Sequence, residues 1–363
     1  MSKILVPAAS GAVALRPVVT TSNADAAKNA RIASGEPRPM NKIACVATLA
    51  LTCATVSGFA ADIPRKTQAP AVIPAPAVLV SPWDIAFGAA IMSDYNFRGI
   101  TQSNHKPSVA AYFEPRYNFN DSLQGYIGVS GESISFPNRA AAEIDFYTGI
   151  RPTFGKLALD FGFWEYWYPG GQCFNLSIPG ECAFNGNLPN GNVIKSDLSF
   201  WEVYGKATYT VTDQFSFGGS VFWSPSVLNS GADGTFIAGT AKYILPSMLP
   251  NGIGWFISAD VGHWFLGTSD SFYAVPAFPA GIPFKSYTTW DVGVAFTWKQ
   301  FTLDLRYFDT DLNKGDCNAF TSDHTASGVT NVTPINPLGL GSNWCSAAFI
   351  AKLSVDLTKD NLK

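Results

Sequence analysis

The feature that most constrains the fold is an alternation of apolar and polar side chains with a period of two. It begins in the stretch Trp83 to Arg116, where two alternating segments flank a polar tip. In the first segment Trp83, Ile85 and Phe87 share one parity, and Asp84 lies on the other. Successive side chains of a β-strand point to opposite faces, so this stretch predicts a long hairpin.

The same alternation continues to the end of the chain and predicts an all-β fold of about twelve strands. The predicted strands are 83–97, 107–119, 123–136, 142–154, 157–168, 198–211, 215–223, 235–245, 253–265, 287–298, 301–309 and 347–357.

The connections between these strands differ in length in a regular order. Those after odd-numbered strands are polar and mostly long: 99–106, 137–141, 169–197, 224–234, 266–286 and 310–346. Those after even-numbered strands are mostly tight: 120–122, 155–156, 212–214, 246–252 and 299–300. This order is typical of a transmembrane, antiparallel up-and-down β-barrel with short periplasmic turns and long outer loops. The even strand number places both ends of the barrel segment on the periplasmic side.

Composition agrees with a barrel and excludes other classes. Charged residues make up 14% of the chain, below the roughly 25% of soluble domains. No run of about 20 apolar residues follows residue 60, which argues against spanning helices. A formal net charge of -3 argues against a nucleic-acid partner. A soluble β-sandwich, whose strands also alternate, remains the alternative fold.

Aromatic residues near the strand ends predict the two belts of a membrane barrel. The belt beside the short turns consists of Trp83, Tyr117, Phe119, Phe154, Tyr209, Phe215, Phe217, Tyr243, Trp255, Trp298 and Phe301. The belt at the opposite ends consists of Tyr95, Tyr166, Trp167, Tyr168, Trp223, Trp264 and Tyr307.

The segments before and after the barrel have export features. Met40 opens a signal peptide at 40–60, with a basic start, an apolar centre and small residues before cleavage after Ala60. Residues 1–39 are then expected to be a mis-called N-terminal extension, with an unusually long signal-peptide start as the alternative. Residues 61–82 form a Pro/Ala-rich periplasmic tail. The barrel occupies 83–357, and 358–363 form a short periplasmic C-terminal tail.

Four cysteines remain after removal of the signal peptide, and they allow three pairings. Pairing within each loop is favoured, which joins Cys173 to Cys182 and Cys317 to Cys345. Disulfides of this kind require an oxidising compartment and agree with export.

Charged residues on the inward parity are the candidate site. A charged lysine or arginine facing lipid at mid-depth costs about 2–4 kcal/mol, so charges are expected to line the lumen. The acidic candidates are Asp84, Asp94, Glu114, Glu132, Glu143, Asp145, Asp160, Glu202, Asp260, Asp291, Asp304 and Asp356. The basic candidates are Arg116, Arg151, Lys206, Arg306 and Lys352.

The acidic excess predicts a weak preference for cations. The alternative is that these residues pair across strands and partly plug the barrel, with Arg116 near Glu132 or Glu143 and Asp304 near the neighbours of Arg306. Twelve strands lie between the filled barrels of eight and the open channels of sixteen, so a narrow or constricted channel is expected.

The stretch Ser93 to Glu114 resembles the opening hairpin of the TorF family of porins, the Gcw_chp domain family. The matching residues are Ser93, Asp94, Tyr95, Phe97, Arg98, Gly99, Gln102, Lys106 and Pro107. The resemblance implies an outer-membrane β-barrel with a pore role and says nothing of the solute. One departure is the end of the last strand, which lacks the usual terminal aromatic residue unless Phe349 substitutes for it.

Two roles are open for the Arg98-Gly99 pair at the top of the first hairpin. Gly99 can supply a positive φ while Arg98 pairs with Asp94, which is the structural interpretation that we favour. The functional alternative makes Arg98 a cation at the pore mouth.

Function is therefore expected to be passive diffusion of small hydrophilic solutes or ions. The runner-up is a non-conducting structural or adhesion barrel with disulfide-stapled outer loops. The chain has only three histidines, His105, His263 and His324, and no G-x-S-x-G or H-E-x-x-H motif occurs. No enzyme, cofactor or metal site is therefore predicted. Expected partners are outer-membrane lipid and the barrel-assembly machinery during insertion, and no signature indicates an oligomer.

Overall fold

The computed structural model describes residues 82–246 and 252–362. The predicted extension 1–39, the signal peptide 40–60 and the tail 61–81 lie outside the described residues. No helix among the described residues is long and apolar enough to span a bilayer.

Twelve strands form one closed antiparallel barrel, in which each strand pairs with its neighbours in sequence and the last pairs with the first. These strands are β1 (Trp83–Met92), β4 (Ser108–Asn120), β5 (Leu123–Glu132), β6 (Glu143–Phe154), β7 (Leu157–Trp167), β8 (Phe200–Thr210), β9 (Phe215–Ser224), β10 (Gly234–Leu245), β11 (Gly254–Leu266), β12 (Tyr287–Trp298), β13 (Phe301–Thr310) and β14 (Ala348–Thr358). The prediction of an all-β barrel of about twelve strands is confirmed.

The other elements among the described residues lie in the loops and at the end of the last strand. They are β2 (Asn96–Phe97), β3 (Ile100–Thr101), α1 (Glu181–Asn185), α2 (Lys314–Thr321) and the 3-10 helices Val227–Asn229, Ser271–Tyr273 and Lys359–Leu362. We call the end of the barrel that carries the long loops the outer end.

The first strand differs from its prediction, which extended it to residue 97. β1 ends at Met92, and β2 and β3 form a separate two-stranded hairpin. Its turn contains Arg98 with φ 51° and Gly99 with φ 83°, which are left-handed conformations incompatible with a continuing strand. A Cβ at position 99 would also collide with Thr289 and Thr310, so glycine is required there.

The outer surface of the barrel is apolar along the strands. On β12, Trp290, Val292 and Trp298 are 37%, 49% and 44% exposed, whereas Ala295 is 1% exposed on the inner face. A surface of this kind belongs in hydrocarbon, and the closed ladder satisfies the backbone polar groups there. The barrel is therefore membrane-spanning.

The aromatic belts are only partly as predicted. Trp83, Phe119, Phe154 and other members of the belt beside the short turns are exposed. In the outer belt, Trp167, Trp223 and Tyr307 are exposed, but four members point inward and the prediction is wrong for them: Tyr95, Tyr166, Tyr168 and Trp264. The reason is parity, since neighbours of an outward residue such as Trp167 must face the interior.

Tyrosine rings on the inner wall lie over glycines of the neighbouring strand. Gly128 faces Tyr147 across the β5–β6 ladder, and Gly149 faces Tyr126 two pairs away. A Cβ at either glycine would overlap the tyrosine side chain opposite it. The wall therefore accommodates large rings because their partners have no side chains.

A hydrophobic core fills the interior at the outer end. Loop residues Phe136, Phe174, Ile194, Phe284 and Phe320 pack there with inward residues of the strands. The long loops are therefore folded onto the barrel opening rather than extended from it.

Two disulfides fasten the outer loops, and the predicted local pairing is confirmed. Cys173 bonds to Cys182 of α1, and Cys317 of α2 bonds to Cys345 in the segment before β14.

Candidate functional site: the barrel interior

The β2–β3 hairpin lies inside the outer end of the barrel and is anchored by Asp94. The Asp94 carboxylate accepts hydrogen bonds from Thr101 Oγ1 at 2.5 Å and from Ser103 Oγ at 2.8 Å. Its second oxygen lies 2.9 Å from His105 Nδ1. These bonds within the loop hold the chain in a turn that the strand ladder does not impose.

Arg98 extends from this hairpin to the opposite wall. Its guanidinium donates two hydrogen bonds to Glu202 of β8, at 2.8 Å and 2.7 Å, and both side chains are almost completely buried. Four aromatic rings surround it with centroids 4.4–5.0 Å from Cζ: Phe97, Phe222, Phe236 and Trp264. We call these residues the arginine box. A planar guanidinium suits both the carboxylate and the ring faces.

The predicted pairing of Arg98 with Asp94 is wrong. Asp94 is occupied by Thr101, Ser103 and His105, and the positive φ at Arg98 turns its side chain away toward β8. The predicted positive φ at Gly99 is confirmed. The sequence motif predicted a turn at Gly99, but it contained no signal for a partner 104 residues away.

A second cluster surrounds Arg116 of β4 and Arg151 of β6, which lie on either side of β5. Glu114 accepts from Arg116 Nε at 2.5 Å and from Arg151 Nη1 at 2.8 Å. Asp160 accepts from Arg151 Nε at 3.3 Å, and Asp84 lies 3.9 Å from Arg116. The predicted partners of Arg116, Glu132 or Glu143, are therefore wrong, because Glu114 on its own strand is closer.

A third cluster is centred on Arg306 of β13. Its guanidinium lies 2.5 Å from Asp291, 3.0 Å from Asp304 and 3.4 Å from Asp260. The prediction placed Asp304 near the neighbours of Arg306, whereas in the structure Asp304 pairs with Arg306 itself. Three carboxylates share one cation here.

The two lysines predicted to face inward lie beside these clusters. Lys206 is opposite Asp160 in the β7–β8 ladder, and its Nζ lies 4.4 Å from the centre of the Tyr204 ring. Lys352 is opposite Asp304 in the β13–β14 ladder.

Asp356 of β14 accepts a hydrogen bond from the Tyr112 hydroxyl at 3.0 Å. The last three predicted carboxylates, Glu132, Glu143 and Asp145, form a buried group at the outer end of β5 and β6. The structure thus places every predicted lumen residue on the inner side of the barrel or in the inserted hairpin. Whether they line a conducting lumen stays a prediction.

The loop histidines have specific partners. The hydrogen bond to Asp94 raises the pKa of His105, and the Asn343 carbonyl 3.1 Å from Nε2 adds to this effect against partial burial. Burial lowers the pKa of His324, whose ring packs edge-on against Trp344. His263 Nδ1 lies 3.0 Å from Thr288 Oγ1.

Comparisons with solved structures find chains of low identity. An outer-membrane channel of Pseudomonas putida F1 is 13% identical, with a TM-score of 0.37 and coverage of 79% of this chain and 100% of that chain. The NanC porin is 8% identical, with a TM-score of 0.36 and coverage of 76% and 100%. LpxR of Salmonella typhimurium is 9% identical, with a TM-score of 0.37 and coverage of 75% and 99%.

No curated protein matches the chain. A family model does match, over residues 77–333, which is more than half of the sequence. This region begins just before β1 and ends within the last outer loop. The chain therefore belongs to the Gcw_chp family, which is described as bacterial proteins of unknown function.

Proposed function

We propose that this protein is a narrow channel in the outer membrane of a Gram-negative bacterium, reached by signal-peptide export. It passes small hydrophilic solutes or ions by passive diffusion, with a weak preference for cations. The resemblance of Ser93 to Glu114 to the TorF porin family supports this proposal.

The observation that carries the proposal is the charged inner wall of a twelve-stranded barrel. Carboxylates outnumber cations there, most clearly around Arg306, where Asp260, Asp291 and Asp304 share one guanidinium. A negative wall in a low-dielectric barrel attracts cations and repels anions.

A small cavity between the inserted hairpin and the wall supports a narrow route. It has a volume of about 50 Å³ and is lined by Asp94, Asn96, Asp304, Arg306 and Lys352 together with apolar residues of β1, β13 and β14. A space of this size holds a few water molecules at most, so it suits ions and very small solutes.

The second candidate is a non-conducting surface barrel. The hydrophobic core at the outer end and the two disulfide-fastened loops favour it, since both close the opening. Such a protein would present its loops for adhesion or as structural cover.

Planar-bilayer recording of refolded protein separates the two candidates. Heat-modifiable migration on a gel first establishes that the barrel is folded. A channel gives discrete current steps, and in a KCl gradient the reversal potential has the sign of cation preference. A folded barrel without steps eliminates the channel and favours the surface protein, whereas an anion-selective channel eliminates only the cation preference.

A further inference from the structure

Three carboxylates on the inner wall lie close together where β5 ends and β6 begins. Glu132 and Glu143 are cross-strand partners, and Asp145 is opposite Ser130. One carboxylate oxygen from each residue lies within 4.8 Å of the others. The side chains are buried, with exposures of 3%, 2% and 3%.

Hydrogen bonds satisfy only part of this carboxylate group. Glu143 accepts from the Tyr95 hydroxyl at 2.6 Å and from the Tyr168 hydroxyl at 2.9 Å. Asp145 Oδ2 accepts from Ser130 at 3.0 Å. Both oxygens of Glu132 and Oδ1 of Asp145 have no hydrogen-bond partner among the described residues. Buried polar atoms without partners are uncommon and indicate a missing ligand or proton.

Neighbouring side chains do not neutralise the group. Lys352 acts on Glu132 electrostatically but makes no hydrogen bond to its carboxylate. The Trp164 indole nitrogen is near Asp145 and also lies outside hydrogen-bonding geometry. One ammonium against three carboxylates leaves a negative site.

We propose that Glu132, Glu143 and Asp145 bind one divalent cation, for which calcium is the best match. All the available ligands are oxygens, which excludes the soft ligands that zinc and copper prefer. Calcium bonds oxygen at about 2.3–2.6 Å, so two ligands on opposite sides of the ion are separated by roughly 4.6–5.2 Å. The three oxygens lie no more than 4.8 Å apart, close enough for all of them to contact one such ion. Magnesium requires shorter bonds and near-octahedral geometry, which a flexible set of three carboxylates matches less well than it matches calcium.

The cation would fasten two outer loops to the wall. Tyr95 lies in the loop after β1 and Tyr168 in the loop after β7, and both donate to Glu143. An ion that holds Glu143 in place therefore stabilises the inserted hairpin. The three residues have no metal-ligand spacing in the sequence, and only the β5–β6 register brings them together.

Calcium titration of the refolded full-length chain tests the site. Protein stripped with EDTA is titrated with CaCl₂ by calorimetry, and thermal unfolding is measured with and without calcium. The site variants are Glu132→Gln and Asp145→Asn. The matched control is Asp213→Asn, which removes an exposed carboxylate in the turn between β8 and β9.

We expect one calcium ion per chain, with a dissociation constant on the order of 10⁻⁴–10⁻³ M, as in extracellular sites. Each site variant should bind at least tenfold more weakly, and the control should bind as the wild type does. Without calcium, Glu132→Gln should unfold at a higher temperature than the wild type because it removes repulsion, and calcium should reverse or erase that difference.

A wild-type chain that shows neither saturable binding nor a calcium-dependent shift overturns the site. The site is also overturned if Asp213→Asn binds calcium as weakly as the site variants do, because binding would then depend on the general surface charge. If a site variant does not fold, the comparison of wild type with calcium, magnesium and EDTA still decides, and an equal response to both ions refutes a calcium site.

Discussion

At the scale of single residues, Arg98 has the most specific environment in the barrel interior. It is a family-motif residue whose charge is buried in an aromatic box and compensated by Glu202. The motif predicted its importance and the turn at Gly99. Its partner could not be predicted, because a residue far along the chain becomes a neighbour only when the barrel closes.

Substitution of Arg98 should destabilise the protein strongly. Arg98→Met leaves the Glu202 carboxylate buried with only the Tyr166 hydroxyl at 3.1 Å as a donor, and loss of one partner of a buried pair costs about 3–5 kcal/mol. Denaturant unfolding followed by tryptophan fluorescence and gel migration measures the change. Arg139→Gln, at an exposed arginine, should cost under about 1 kcal/mol. Equal losses in both variants would contradict the role of the arginine box.

The two loop histidines should respond to pH with opposite signs. Because folding raises the pKa of His105, its protonated ring adds to the free energy of unfolding. This stabilisation is fully present below about pH 6.5, the pKa of the unfolded chain, and is lost as pH rises through the pKa of the folded protein. Folding lowers the pKa of His324, so protonation of its ring opposes folding. Stability is therefore lost as pH falls from the pKa of the unfolded chain through that of the folded protein.

Thermal unfolding of two variants between about pH 5 and pH 9 checks this sign. The unfolding temperature of His105→Gln should fall further below that of the wild type as pH decreases. The unfolding temperature of His324→Gln should rise relative to that of the wild type over the same range. Parallel curves for wild type and both variants would refute these assignments.

At the scale of elements, the strands were predictable and the first loop was not. Period-two alternation identifies strands because one face of each strand contacts lipid and the other faces the barrel interior. The stretch from Asp94 to Arg98 also alternates, yet it leaves the ladder because Asp94 bonds to loop hydroxyls and Arg98 and Gly99 have positive φ. Alternation alone does not distinguish a barrel strand from an inserted hairpin.

The Cys317–Cys345 disulfide should stabilise the last outer loop more than the Cys173–Cys182 disulfide stabilises the loop between β7 and β8. Their sequence separations are 28 and 9, which correspond to about 3–4 and 2–3 kcal/mol of loop-closure entropy. Limited proteolysis should cut the double variant Cys317→Ser/Cys345→Ser within 311–347, and Cys173→Ser/Cys182→Ser more slowly within 169–199. Faster cleavage in the second variant would reverse this order.

At the scale of the whole molecule, closure of the barrel decides which face meets lipid. Val292 lies near the middle of β12 and is 49% exposed on the apolar surface. Val292→Arg should destabilise the folded barrel by about 2–4 kcal/mol in lipid, as measured by unfolding from vesicles. Gln300→Arg, in the tight turn between β12 and β13, should cost less than about 1 kcal/mol. A Val292→Arg barrel of wild-type stability would show that this surface is not in hydrocarbon.

The sequence by itself determined the twelve strands, the order of long and short connections, the local disulfides and the inward side of the charges. These follow from short-range rules, since parity, turn residues and loop length act over a few residues. Only the tertiary structure decided that the long loops fill the opening, that Arg98 pairs with Glu202, and that Glu132, Glu143 and Asp145 meet. Each of these contacts joins residues that are distant in sequence. They meet only because the strand register and the closure of the barrel place them side by side.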